Sequence, residues 1–186
     1  GGSETDKENI CVVLPEGLPR ECWLLFSATI EVARACPSVK FLWRLHPLMS
    51  FDSLFSSYPM LKDKPNNILL SSGTALEQDL DKSRWSLYRG STAVVSSIQL
   101  HSRPVYYNHS DEPCIDPIAT LSKWKLTAND IDALIEVFSS EDTRLYTEDF
   151  EVALSYARKF YTGLEPARVV NVIRDWRSET AVKKVG

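Results

Sequence analysis

Short, uniformly apolar runs alternate along this chain with stretches whose apolar residues recur every three or four positions. The first run, Ile10-Cys11-Val12-Val13-Leu14, lacks polar alternation, the pattern of a strand covered on both faces. Pro15-Glu16-Gly17 ends it. From Pro19 to Ala35, Cys22, Leu25, Phe26, Thr29, Ile30 and Ala33 recur at helical spacing, and Pro37 stops the helix. The pattern repeats with a second strand over Val39–Leu45, closed by His46-Pro47, and a short helix over Phe51–Ser57. Ile68–Leu70, Trp85–Tyr88 and Val105–Tyr107 read as further strands, with helices over Ala75–Lys82 and Thr92–Leu100 between them. Strands separated by helices, at intervals too long for hairpins, predict a parallel sheet with helices on both faces.

After Asn108 the pattern changes. Ser110–Pro117 holds Asp111, Pro113, Asp116 and Pro117 and reads as irregular. Thr127-Ala128-Asn129-Asp130 resembles a capped start for a helix to Phe138, and Thr147–Tyr161 and Pro166–Trp176 read as two more amphipathic helices. The fold class expected is therefore α/β, a Rossmann-like parallel sheet of about five strands with C-terminal helices packed back on it. Residues 1–7 read as a tail outside the fold, 8–177 as one domain and 178–186 as a polar tail.

Composition narrows the chemistry. With 186 residues, 44% hydrophobic and 25% charged, the chain has the balance of an ordinary soluble domain. Its net charge of −4 provides no overall positive field for nucleic acid or an anionic membrane, so any phosphate binding must be local. No apolar run reaches the roughly 18–20 residues of a membrane helix. Cys11, Cys22, Cys36 and Cys114 show no C-x-x-C spacing, and free thiols in a cytoplasmic protein are expected.

In an open parallel sheet, ligands bind outside the carboxyl ends of the strands. Those ends carry Glu16 and Gly17, then Arg44 and His46, then Ser71-Ser72-Gly73 with Glu77 beyond, then Arg89-Gly90-Ser91-Thr92. Gly90 permits a tight turn, and Ser91 and Thr92 bring hydroxyls to a helix start that favours an anion, although a serine there commonly just caps the helix. His46 can donate to a phosphate oxygen or act as an acid near neutral pH, while Arg44 beside it adds positive charge. Glu77 can accept from ribose hydroxyls, with Asp79 and Asp81 competing for that role. His101 and His109 have no partners at metal-ligand spacing. No P-loop, G-x-G-x-x-G or G-x-S-x-G motif is present, which disfavours a nucleotide triphosphatase, a dehydrogenase and a serine hydrolase.

Taken together, Pro15-Glu16-Gly17, Arg44-Leu45-His46-Pro47, Glu77 and Arg89-Gly90-Ser91-Thr92 resemble the carboxyl-terminal, donor-binding half of GT-B glycosyltransferases. The likeness is to bacterial sialyltransferases and Kdo-type capsule transferases that use CMP-sugars, and it covers roughly Ile10 to Tyr107. Glu77 follows His46 by 31 residues and Ser91 follows it by 45, an order and spacing that fit that group. The resemblance implies a catalytic His46 and a donor phosphate held by Arg44, His46, Arg89, Gly90, Ser91 and Thr92. Glu77, Glu16 and Gly17 would lie on the ribose or nucleotide. It also implies a nucleotide sugar as substrate, surface polysaccharide as product and no metal or other cofactor. An N-terminal acceptor-binding domain would supply the general base, at the inner face of the membrane or free in the cytoplasm. Polyol-phosphate transferases with CDP-activated donors resemble the same layout. Two other classes compete: a non-catalytic interaction module presenting Trp124, Tyr106 and Tyr107 to a partner, and a flavodoxin-like or receiver-like domain, which Glu16 alone at the first strand end argues against.

Overall fold

The computed structural model describes residues 7–109, 114–140 and 147–160. Within them, six strands form one parallel sheet: β1 (Glu8–Leu14), β2 (Lys40–Trp43), β3 (Ile68–Leu70), β4 (Ser83–Tyr88), β5 (Arg103–Tyr107) and β6 (Leu126–Ala128), in the order β3-β2-β1-β4-β5-β6. Helices α1 (Pro19–Ala35), α2 (Phe51–Ser57), α3 (Leu76–Lys82), α4 (Val94–Gln99), α5 (Ile131–Ser139) and α6 (Thr147–Phe160) cover it. This is the doubly wound order in which the chain reverses direction between β1 and β4.

The uniform hydrophobicity of β1 has a direct cause. Cys11 and Val13 enter one core with α1, α2 and α5, whereas Val12 and Leu14 enter a second core with α4 and α6. A strand buried on both faces has no polar side. In the first core Phe26 stacks on Trp43 with ring centroids 4.2 Å apart, and Trp43 Nε1 donates to Thr29 Oγ1 at 2.8 Å. That bond satisfies the indole nitrogen of a fully buried residue.

Helix ends agree with local chemistry. Ser50 caps α2 by accepting from Ser53 N, and Asp130 caps α5 by accepting from Ala133 N. Lys7 donates to the carbonyls of Leu80, Asp81 and Leu100 at the ends of α3 and α4, a cation where both helix dipoles are negative.

The sixth strand departs from the sequence expectation of about five. Leu126-Thr127-Ala128 pairs with β5 at the sheet edge before Asp130 starts α5, so the expected helix follows a strand. Helix α4 begins at Val94 rather than Thr92, and no side chain caps it, so capping by Ser91 is not observed. Helix α6 runs through the described residues Thr147–Phe160. The expected helix over 166–176, the tail 178–186 and most of the tail 1–7 lie outside the described residues.

Candidate functional site

Because all six strands run parallel, their carboxyl ends present their loops along one edge of the sheet. The loops after β1 and β4 adjoin at the reversal point, with the loop after β2 on the other side of β1. Two glycines knit these loops together. A Cβ at Gly17 would lie 3.1 Å from His46 Cγ, so the imidazole rests against the bare glycine. A Cβ at Gly90 would occupy the space of the Glu16 carboxylate. The turn after β1 thus touches its neighbours on both sides.

Among the described residues, three crevices lie along this edge. One, of about 460 Å³, lies between the loops after β2 and β3 and is lined by Arg44, His46, Ser50, Asp52 and the run Ser71–Thr74. The second, of about 430 Å³, lies at the reversal point and is lined by Glu16, Glu21, Gly90, Thr92, Cys114 and Ile115. The third, of about 550 Å³, opens between the start of α1 and α2 and is lined by Gly17, Pro19, Pro47, Leu48 and the serines at 50, 53 and 57.

The expected phosphate ligands therefore fall into two groups. Arg44 and His46 share the first crevice, while Gly90 and Thr92 line the second. Arg44 is also tied down: its Nη1 donates to Asp79 Oδ2 at 2.6 Å and Ser71 Oγ at 3.1 Å, and its Nη2 donates to the Thr74 carbonyl at 2.9 Å. Asp79 is buried in α3 and also accepts from the hydroxyls of Ser71 and Thr74. Glu77, two residues earlier, is exposed in the first turn of α3. Between these two acids, the inward-facing one is Asp79, and it holds a protein cation.

Arg89 lies beneath the edge, only 1% exposed, and its Nε donates to Glu21 Oε2 at 3.0 Å. It neutralises a carboxylate of the second crevice from below. Cys114 donates through its thiol to Glu16 Oε1 at 3.4 Å. Burial, and then that hydrogen bond, pushes the Cys114 thiol up to about 11. Ligand atoms of Glu16, Glu21 and Cys114 lie within 4.8 Å of one another and could hold a metal ion, although the Arg89 guanidinium already occupies part of that negative field.

A second network anchors the loop that carries Cys114. Asp116 accepts from Tyr88 Oη at 2.9 Å, Lys125 Nζ at 2.6 Å and Ile118 N at 3.0 Å. Burial and the adjacent Asp116 carboxylate raise the Tyr88 phenol well above its usual range. Sequence reasoning passed over Glu21, Cys114 and Asp116 as site residues, because each acquires its setting from a partner distant in the chain.

The aromatics expected as exposed interface anchors are not available for that purpose. Tyr106, Tyr107 and Trp124 are 8%, 3% and 3% exposed and pack in the two cores. Among the described residues, no helix is long and apolar enough to cross a membrane.

The strand order and the edge of crevices define the class as a doubly wound, Rossmann-like α/β domain. Among solved structures, its fold is that of one half of a GT-B glycosyltransferase. The glycosyltransferase of kitacinnamycin matches with a TM-score of 0.56 and 14% identity, over 86% of this chain and 41% of that one. A mutant of S. aureus TarM in complex with UDP matches with a TM-score of 0.57 and 10% identity, over 88% and 34%. The calicheamicin glycosyltransferase CalG4 matches with a TM-score of 0.54 and 15% identity, over 92% and 42%. The chain thus spans less than half the length of these proteins. No protein-family model and no curated protein matches the sequence.

Proposed function

We propose that this domain is the nucleotide-sugar-binding half of a GT-B-type glycosyltransferase that uses a cytidine-nucleotide donor, a CMP-sugar, in surface polysaccharide synthesis. The observation that carries the reading is the convergence of the loops after β1, β2 and β4, with His46 seated on Gly17 and Glu16 on Gly90. Ligands of doubly wound domains bind where the strand order reverses, and these loops flank that point.

In this reading His46 and Arg44 bind the donor phosphate from one side, and the Gly90-Ser91-Thr92 turn offers hydroxyl and backbone donors from the other. Arg89 acts through Glu21, offsetting a carboxylate that would otherwise repel the phosphate. Glu16, Gly17 and the exposed Glu77 are the groups assigned to the ribose. The reaction is group transfer: an acceptor hydroxyl forms a bond to the anomeric carbon while the bond from that carbon to the phosphate oxygen breaks. Negative charge grows on the leaving cytidine monophosphate, where His46 and the Ser91 and Thr92 hydroxyls can stabilise it. A second domain would bind the acceptor and take its proton. The second crevice has no assigned metal, and the reading requires none.

Calorimetric titration with CMP and CDP tests this. Binding at a single site is expected, weakened in His46→Ala by about 1–3 kcal/mol if the imidazole makes a charge-assisted bond. Absence of heat from both nucleotides with the fold intact would refute the reading, and an unchanged affinity in His46→Ala would remove His46 from the site.

A further inference from the structure

Three stretches of chain meet where the sheet reverses. Glu16 comes from the loop after β1, Gly90 from the loop after β4 and Cys114 from the segment after β5. The Cys114 thiol donates to Glu16 Oε1 at 3.4 Å, and a Cβ on Gly90 would sit on that same oxygen and 3.0 Å from Cys114 Sγ. The bare glycine gives a carboxylate and a thiol from distant parts of the chain the room to touch.

That contact works against a repulsion. Glu21 shares the crevice, with an oxygen within 4.8 Å of one on Glu16, and like charges so close oppose each other's ionisation. Arg89 takes up Glu21 from below, while the Cys114 thiol holds Glu16. Burial and the bond to Glu16 raise that thiol to about 11, so it remains a protonated donor at neutral pH.

Cys114 is itself fixed from behind. Tyr106 Oη donates to its carbonyl at 3.4 Å. Two residues on, Asp116 ties the segment to Tyr88 at the end of β4 and to Lys125 just before β6, and Tyr156 of α6 donates to the Pro117 carbonyl at 3.4 Å. These anchors all come from the sheet or from α6, and Cys114 lines the crevice opposite them, beside Glu16. Glu16 Oε2 bonds no donor among the described residues. A carboxylate oxygen held in one direction has lone pairs for both hydroxyls of a vicinal diol. It discriminates by those hydroxyls, because an analogue lacking one leaves an ordered acceptor unpaired.

We propose that Cys114 is the positioning residue of Glu16: its thiol fixes the carboxylate so that Oε2 accepts from the ribose hydroxyls, which makes the site selective for a ribonucleotide. The inference rests on the donor-binding reading above and adds to it the residue that orients the ribose acceptor.

Calorimetry on the full chain, Cys114→Ala and Cys114→Ser compares CMP with 2′-deoxy-CMP. The wild type should prefer CMP about tenfold, the worth of one net hydrogen bond to a charged acceptor. Cys114→Ala should reduce the preference to about twofold or less with the affinity for 2′-deoxy-CMP unchanged, and Cys114→Ser, whose hydroxyl still donates, should keep it. A residue that only supported the fold would shift both nucleotides alike. A preference that survives Cys114→Ala, or that Cys114→Ser loses, overturns the positioning role, and equal wild-type affinities overturn ribose selection. Binding of neither nucleotide refutes the donor reading and the inference with it. Alkylation by iodoacetamide at pH 8 reads the contact without a nucleotide, and decides should Cys114→Ala not fold. Cys114 is the one cysteine of four that is not buried. Because Glu16 raises its pKa, Glu16→Gln should speed its alkylation about three- to tenfold. An unchanged rate would show that the thiol does not rest on Glu16 and would overturn the proposal.

Discussion

Asp79→Ala removes the acceptor at the centre of the Arg44 network. The Asp79 side chain is 2% exposed and Arg44 is 21% exposed, with 2.6 Å between their nearest atoms. Asp79 also accepts from Ser71 at 2.5 Å and Thr74 at 3.1 Å. Breaking a fully buried pair costs about 3–5 kcal/mol because a charge is left uncompensated. Arg44 can turn partly toward water, so the expected loss lies nearer the worth of one charge-assisted hydrogen bond plus the two neutral ones, about 2–3 kcal/mol. For a chain of this size that is a fall in Tm of about 4–12 °C. Asp79→Asn, which retains an acceptor but not the charge, should cost about half as much. Urea unfolding followed by circular dichroism at pH 7 measures both, with the slope against urea unchanged. A wild-type Tm in Asp79→Ala would show that Asp79 does not hold Arg44 and the Ser71–Thr74 loop in place.

Three further outcomes follow from the same structure. Thr29→Val leaves Trp43 Nε1 buried without its acceptor and should cost about 1–3 kcal/mol, read by the same urea titration. Gly90→Ala must displace the Glu16 carboxylate; because that carboxylate can swing aside, stability should fall by less than about 1 kcal/mol, while calorimetry should show nucleotide binding weakened. Alkali should destabilise the fold. Burial raises the Cys22 thiol to about 12 and holds the Cys11 thiol and Tyr88 phenol higher still. Their folded values lie above the unfolded ones of 9.0 for cysteine and 10.0 for tyrosine. The stabilisation is therefore complete below about pH 9 and is lost progressively as pH rises above it, in the sense of proton linkage. A Tm that is flat from pH 8 to 11 would contradict this.

The strands were legible because burial on both faces writes an unbroken apolar run, as in Val12 and Leu14 against Cys11 and Val13. Strand β6 was not, because it has three residues at the sheet edge and Thr127 is exposed, so Leu126-Thr127-Ala128 carries almost no period. His101 shows a different limit. The sequence assigns it no role, but it takes a left-handed conformation, φ 57°, after α4 and its ring lies 4.2 Å from that of Phe150, a terminating role that glycine more often fills. In the candidate site, the individual residues could be named from their places after strands. Their pairings could not, since Arg44 meets Asp79 across 35 positions and Arg89 meets Glu21 across 68. Packing set those partners, and it turned two of the expected phosphate ligands toward carboxylates. Tyr106, Tyr107 and Trp124 show the same limit in reverse: their residue types suit an interface, and only the fold shows them buried.

Melting the full chain with CMP, CDP, UDP, GDP and ADP, each at about 100 times its expected Kd, tests the central claim most directly. A ligand confined to the folded state adds about 2.7 kcal/mol at that excess, or about 5–10 °C for a chain of this size. The account predicts that rise with CMP and CDP alone, reduced in His46→Ala; a Tm unmoved by all five nucleotides would contradict it.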